Sequence, residues 1–111
     1  MEVARFILDV LEEKKAEDIL LLDIREISDF TDYFIITSGT SDRMLNALAD
    51  AVREAVKARY QLNGKIEGEA QEGWILEDFG DIVIHFFSPD RREYYRLEDL
   101  WSHGRVIVRL Q

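Results

Sequence analysis

Apolar residues recur at helical spacing from the start of the chain. Val3, Phe6, Ile7, Val10 and Leu11 step round at three and four, which predicts a helix over residues 2–14. Two apolar runs of strand length follow, DILLLDIRE (18–26) and DYFIITSG (32–39). The seven residues EISDFTD between their ends predict an antiparallel pair joined by a loose loop. Met44, Leu45, Leu48, Val52, Ala55, Val56 and Arg59 then mark a long helix. Thr40 or Ser41 can cap it, because either hydroxyl can accept a bond from a free first-turn amide. The stretch NGKIEGEAQEG (63–73) is polar and glycine-rich, a loop with room for a short edge strand. WILEDFGDIVIHFF (74–87) reads as a hairpin closed by Pro89. RREYYRLEDLW reads as a short helix carrying Tyr94, Tyr95, Leu97, Leu100 and Trp101, and RVIVRL (105–110) as a last strand. There is no repeat and no sign of a second domain. The pattern predicts one α/β (α+β) domain over residues 1–111, a mixed sheet of about five strands flanked by helices.

The hairpin carries the candidate chemistry. Glycine supplies the positive φ that tight turns need, so the turn is placed on Phe79-Gly80. That register sets Asp78 opposite Asp81, Glu77 opposite Ile82, Leu76 opposite Val83, Ile75 opposite Ile84 and Trp74 opposite His85. Alternation gives one face Trp74, Leu76, Asp78, Asp81, Val83 and His85. The other receives Ile75, Glu77, Ile82, Ile84 and Phe86, is the more apolar, and is expected to face the helices. Asp78 and Asp81, directly opposed, would repel by up to ~1 kcal/mol, which a cation from elsewhere would relieve. Turns also favour aspartate, and exposed repulsion is screened. Phe79 at the tip can curl back under a neighbouring loop or stand in water for a partner. Trp74 beside His85 reads first as packing.

Composition narrows the classes. A length of 111 residues suits one core, and 47% hydrophobic content is ordinary. No cysteine is present, which removes disulfides, thiolate chemistry and cysteine-ligated zinc. No apolar run approaches the ~20 residues of a membrane helix. The amphipathic, acidic start lacks the features of a secretory or transit segment, so a cytoplasmic protein is expected. The net charge of −9 offers no footprint for naked nucleic acid and favours basic protein partners, or serves solubility alone. Two carboxylates near a histidine suggest metal binding, but a hairpin alone supplies few ligands, and His103 is the only other histidine. Ser38 and Ser41 lie at a strand-to-helix corner without a histidine nearby in sequence. SGTS (38–41) lacks the lysine and glycine spacing of a phosphate loop and reads better as a helix cap.

Four segments taken together resemble the ribosomal silencing factor (RsfS, or Iojap) family. They are KKAEDILLLDIRE, TDYFIITSGTSDR, the spaced set Trp74, Asp78, Gly80, Asp81 and His85, and RREYYRLEDLW. The resemblance runs from Lys14 to Trp101. It implies a fold like a reduced nucleotidyltransferase, with Gly39–Ser41 a remnant of the nucleotide loop. The carboxylate pair that such enzymes carry on the following strand is absent at matching spacing. The family's implied role is non-enzymatic and needs no cofactor. Its members bind the large ribosomal subunit through the ribosomal protein numbered fourteen, where the small subunit joins. They thereby block subunit association and repress translation when nutrients are short. Members are often homodimers. Carried over by position, the partner-binding motif falls on Trp74, Asp78, Phe79, Gly80 and Asp81, with Tyr95 from the following helix; the family often has leucine where Phe79 stands. The aspartates would accept lysine or arginine, Phe79 and Trp74 would be apolar anchors, and His85 would be structural. The alternatives are a metal-dependent nucleotidyltransferase-like enzyme and a dimeric scaffold for another basic protein.

Overall fold

The computed structural model describes residues 1–96 and 105–110. Its elements are α1 (Glu2–Glu13), β1 (Glu17–Asp23), β2 (Tyr33–Ser38), α2 (Asp42–Tyr60), β3 (Lys65–Glu69), a single 3-10 turn (Ala70–Glu72), β4 (Trp74–Asp78), β5 (Ile82–Phe87), α3 (Pro89–Tyr95) and β6 (Arg105–Leu110). The six strands form one mixed sheet in the order β3-β4-β5-β2-β1-β6. Only β2 and β5 run parallel; the other neighbours are antiparallel, including the expected β1–β2 pair. The expectation of about five strands falls one short because KIEGE pairs fully with β4. All five of its residues are exposed, so no buried apolar stripe marks it in the sequence. The predicted helix through Trp101 is observed as α3, which closes at Arg96 in a left-handed cap. Leu97, Leu100, Trp101 and His103 lie outside the described residues.

The sheet centre is the most apolar part of the molecule. Every residue of β2 and of β5 is buried, as expected for parallel neighbours covered on both sides. On one face α1 and α2 bury Ala4, Ile7, Leu8, Leu11, Leu45, Leu48, Val52 and Val56 against Ile35, Ile75, Ile84 and Phe86. This is the face the hairpin alternation assigns to the helices. Ser41 is the cap of α2; its Oγ accepts the Met44 N–H at 3.0 Å. The opposite face gathers Leu20, Leu22, Ile24, Phe34, Ile36, Val83 and Phe87, with Trp74, Leu76 and Tyr95 at its margin.

Glu77 and His85 are buried on opposite faces of the sheet. Glu77 points from β4 towards the helices and is fully inaccessible, and among the described residues neither carboxylate oxygen has a hydrogen-bond partner. Burial raises its pKa from 4.5 to about 8; Arg53 of α2 opposes the rise and Asp50 adds to it. His85 on the other face is lowered by burial from 6.5 to about 4. The signs are opposite. Above pH 4.5 the unfolded chain ionises Glu77 while the fold holds it neutral, so stability drains away as pH rises to about 8. Below pH 6.5 the unfolded chain protonates His85 while the fold holds it neutral, so stability drains away as pH falls to about 4. Glu77→Gln removes only the first loss. Thermal melting should therefore show the variant gaining on the native protein steadily from pH 5 to pH 8; a gap that stays constant with pH would contradict a neutral, buried Glu77.

Candidate partner-binding site

Trp74 is the hub of the second face, and a glycine places it. Gly73 has φ +80, and a Cβ there would lie 2.5 Å from Arg91 Cγ and 2.6 Å from Ser88 Oγ. Glycine thus lets β4 start directly against α3. The Ser88 N–H donates to the Gly73 carbonyl at 2.9 Å, tying the two elements. Ser88 also caps α3, with Pro89 in its first turn. The Trp74 ring stacks on Phe87 at 5.2 Å and meets Tyr95 at 4.7 Å between centroids. Its Nε1–H donates to His85 Nδ1 at 3.1 Å, while Phe34 presents an edge-on contact to His85 at 4.9 Å. His85 is thus a neutral acceptor that orients Trp74. A cleft of about 300 Å3 opens between β3 and α3 beside the half-buried Trp74 and Tyr95, lined also by Leu76, Glu67, Glu72 and Arg91.

At the other end of the hairpin, the turn differs from the expected one. Trp74 lies opposite Phe87, Leu76 opposite His85 and Asp78 opposite Val83. Phe79 and Ile82 flank the turn, with the Phe79 N–H on the Ile82 carbonyl at 2.9 Å, so Gly80-Asp81 is its centre rather than Phe79-Gly80. The offset moves each partner by two residues, which preserves the assignment of faces. The reason is local. Gly80 takes φ +91 at the first central position, and Asp78 Oδ1 accepts its N–H at 2.7 Å. Asp78 and Asp81 are consequently not opposed, and the expected cross-strand repulsion is absent. Trp74 reaches His85 diagonally rather than as its direct partner.

The motif residues therefore fall into two groups. Trp74 and Tyr95 form the aromatic wall. Asp78 shares Trp74's face about 13 Å further along the strand. Phe79 turns to the helix side, where it is half-buried against the main core, and a Cβ on Gly64 would sit 2.8 Å from its ring. Of the two fates open to it, Phe79 takes the one in which a neighbouring loop covers it in part. Asp81 is exposed, and its backbone carbonyl accepts the N–H groups of Asp32 and Tyr33 at 2.9 and 3.0 Å. Sequence reasoning missed Glu67 and Glu72, because they reach the cleft only once β3 is recognised as a strand; Leu76 was legible from its alternation with Trp74. The Gly39–Ser41 corner is bound up structurally: the Gly39 N–H donates to the Phe87 carbonyl, Ser41 caps α2, and Arg92 Nη1 donates to the Ser38 hydroxyl at 2.9 Å. Among the described residues, no three His, Cys, Asp or Glu side chains cluster as metal ligands would.

The model of the family described as "Ribosomal silencing factor during starvation" matches residues 1–110. A Bacillus subtilis (strain 168) protein named ribosomal silencing factor RsfS is 42% identical over 91 residues, covering 82% of this chain and 77% of that one. A Haemophilus influenzae protein of the same name is 38% identical over 103 residues, 92% of this chain and 100% of that one. A crystal structure of a Chromobacterium violaceum protein superposes with a TM-score of 0.86 at 32% identity, covering 91% of this chain and 84% of that one. The match spans the sheet, both long helices and the hairpin that bears Trp74, and the chain belongs to the ribosomal silencing factor family.

Proposed function

We propose that this protein binds the large ribosomal subunit through the ribosomal protein numbered fourteen and, by standing where the small subunit must dock, prevents subunit joining and represses translation when nutrients are short. Family membership over residues 1–110 carries the ribosomal assignment. The local geometry supports the choice of face. Half-buried Trp74 and Tyr95 beside an open cleft are apolar anchors held in place before binding, and interface energy concentrates in such residues. The acidic chain, with Asp78 and Asp81 at the hairpin tip, suits a basic protein surface. The role is steric and uses no cofactor, and we place it in the cytoplasm. We further propose a homodimer in solution: Tyr94 is 74% exposed beside Tyr95, a large aromatic surface for a chain of this size. Light scattering that returns one chain's mass at tens of micromolar would contradict the dimer.

Two outcomes test the reading itself. In sedimentation with separated subunits, the protein should travel with large subunits and not with small ones, and adding it before mixing should lower the yield of assembled ribosomes in proportion to dose. Unchanged gradient profiles at saturating protein would contradict it. Tyr95→Ala should weaken large-subunit binding by about 2 kcal/mol, while Tyr95→Phe retains the ring and most of the affinity. Phe79→Ala carries two costs, in binding and in melting temperature, because the ring is part of the core margin. If Tyr95→Ala binds as the native protein does, the aromatic wall is not the contact.

A further inference from the structure

A second, smaller cleft lies on the helix side of the hairpin tip, away from the Trp74 wall. It has a volume of about 130 Å3 and is bounded by Met1 and Val3 of the first helical turn, Leu62, Phe79 and Tyr33, with Asp32 and Asp81 on its rim. This is below the roughly 300 Å3 at which small-molecule sites begin, so it suits one side chain rather than a metabolite. Two of its apolar residues stay exposed: Met1 is 44% and Leu62 42% exposed. The rim is prepared as well. The Asp81 carbonyl holds the amides of Asp32 and Tyr33, so the hairpin tip and the start of β2 are bonded into one wall. Among the described residues, neither rim carboxylate forms an ion pair or a side-chain hydrogen bond. Arg25 senses the charge of Asp32, but its guanidinium is bonded to Asp23 at 2.7 and 3.0 Å.

An apolar floor under an acidic rim matches a side chain with an aliphatic stem and a cationic end. We infer that the cleft between Leu62, Phe79, Asp32 and Asp81 receives a lysine or arginine side chain from the surface of the ribosomal partner, as a second contact point beyond the aromatic wall. This rests on the ribosomal reading above and adds three residues, Asp32, Leu62 and Met1, to which that reading gives no role. The stem would lie on Leu62 and Phe79 and the charge between the two aspartates. It also accounts for the half-buried Phe79: its ring is a floor for a partner side chain rather than a free-standing knob.

The test is the affinity of the full chain for large subunits at two salt concentrations, with thermal melting of each variant. Asp32→Asn should bind about five- to tenfold more weakly at low salt, with a shallower salt dependence, because it removes half of the rim charge. Leu62→Ser should weaken binding at both salt concentrations and leave the salt dependence alone. Asp29→Asn, on the same loop but outside the cleft, removes the same charge from the chain and should change affinity by less than about twofold if the effect is local rather than a matter of overall field. Equal losses for Asp32→Asn and Asp29→Asn, or native affinity for Asp32→Asn, would overturn the cleft while leaving the ribosomal reading intact. Failure of the unaltered protein to bind large subunits would overturn both.

Discussion

The parallel pairing of β2 with β5 fixes where both ends of the hairpin meet the rest of the fold. Six residues on each strand are in register, from Tyr33 with Ile82 to Ser38 with Phe87, and all are buried. A parallel neighbour cannot follow through a short turn, so the chain must cross over, and α2 with β3 and β4 fills the crossing. At one end the pairing sets the Gly80-Asp81 turn against the β1–β2 loop, where one carbonyl of Asp81 binds both Asp32 and Tyr33. At the other it delivers Phe87 to Trp74 and starts α3 at Ser88. Both candidate contact points are thus set by one strand pair, one at each end of the same hairpin.

The two faces differ in what they ask of their polar residues. Glu77 sits under α2 without a hydrogen-bond partner among the described residues, and burial pushes its carboxyl towards the neutral form, a cost with no structural return there. His85 is buried too, yet its Nδ1 accepts the Trp74 N–H, so its burial orients the largest aromatic of the exposed face. An interface anchor gains from being fixed before the partner arrives, because less side-chain freedom is lost on association. The Trp74–His85–Phe87 stack, closed by Tyr95 from α3, would give Trp74 this advantage as the proposed anchor.

Much of this was legible in the residues alone. Period-two alternation assigned the faces of the hairpin correctly, and three-four spacing found α1 and α2, because burial on one side leaves a direct trace in sequence. Three features left no such trace. β3 is exposed along its whole length, so the sequence marked it only as a loop with room for a short edge strand, as which it stands at the sheet margin. The hairpin register turned on whether Gly80 occupies the first or the second central position of the turn, which depends on the Asp78 side chain reaching the Gly80 amide. The half-burial of Phe79 depends on Gly64, fifteen residues away in sequence, leaving room for the ring. Of the motif residues, Trp74 with Tyr95 was a correct grouping in space, whereas Phe79 lies on the other side of the strand from Trp74 and Asp78.

On the proposed reading the Trp74–Tyr95 wall and the hairpin tip face the ribosome, and the outer surface of α1 and α2 around Phe6 and Tyr60 does not. Hydroxyl-radical footprinting of the full chain, alone and with saturating large subunits, reads this directly, because aromatic side chains report their own access to solvent. Tyr60, edge-on to Phe6 at 5.4 Å on the helical side, serves as the internal reference. Trp74 and Tyr95 should lose reactivity on binding while Tyr60 keeps it. Protection of Tyr60 with Trp74 and Tyr95 unchanged would contradict it.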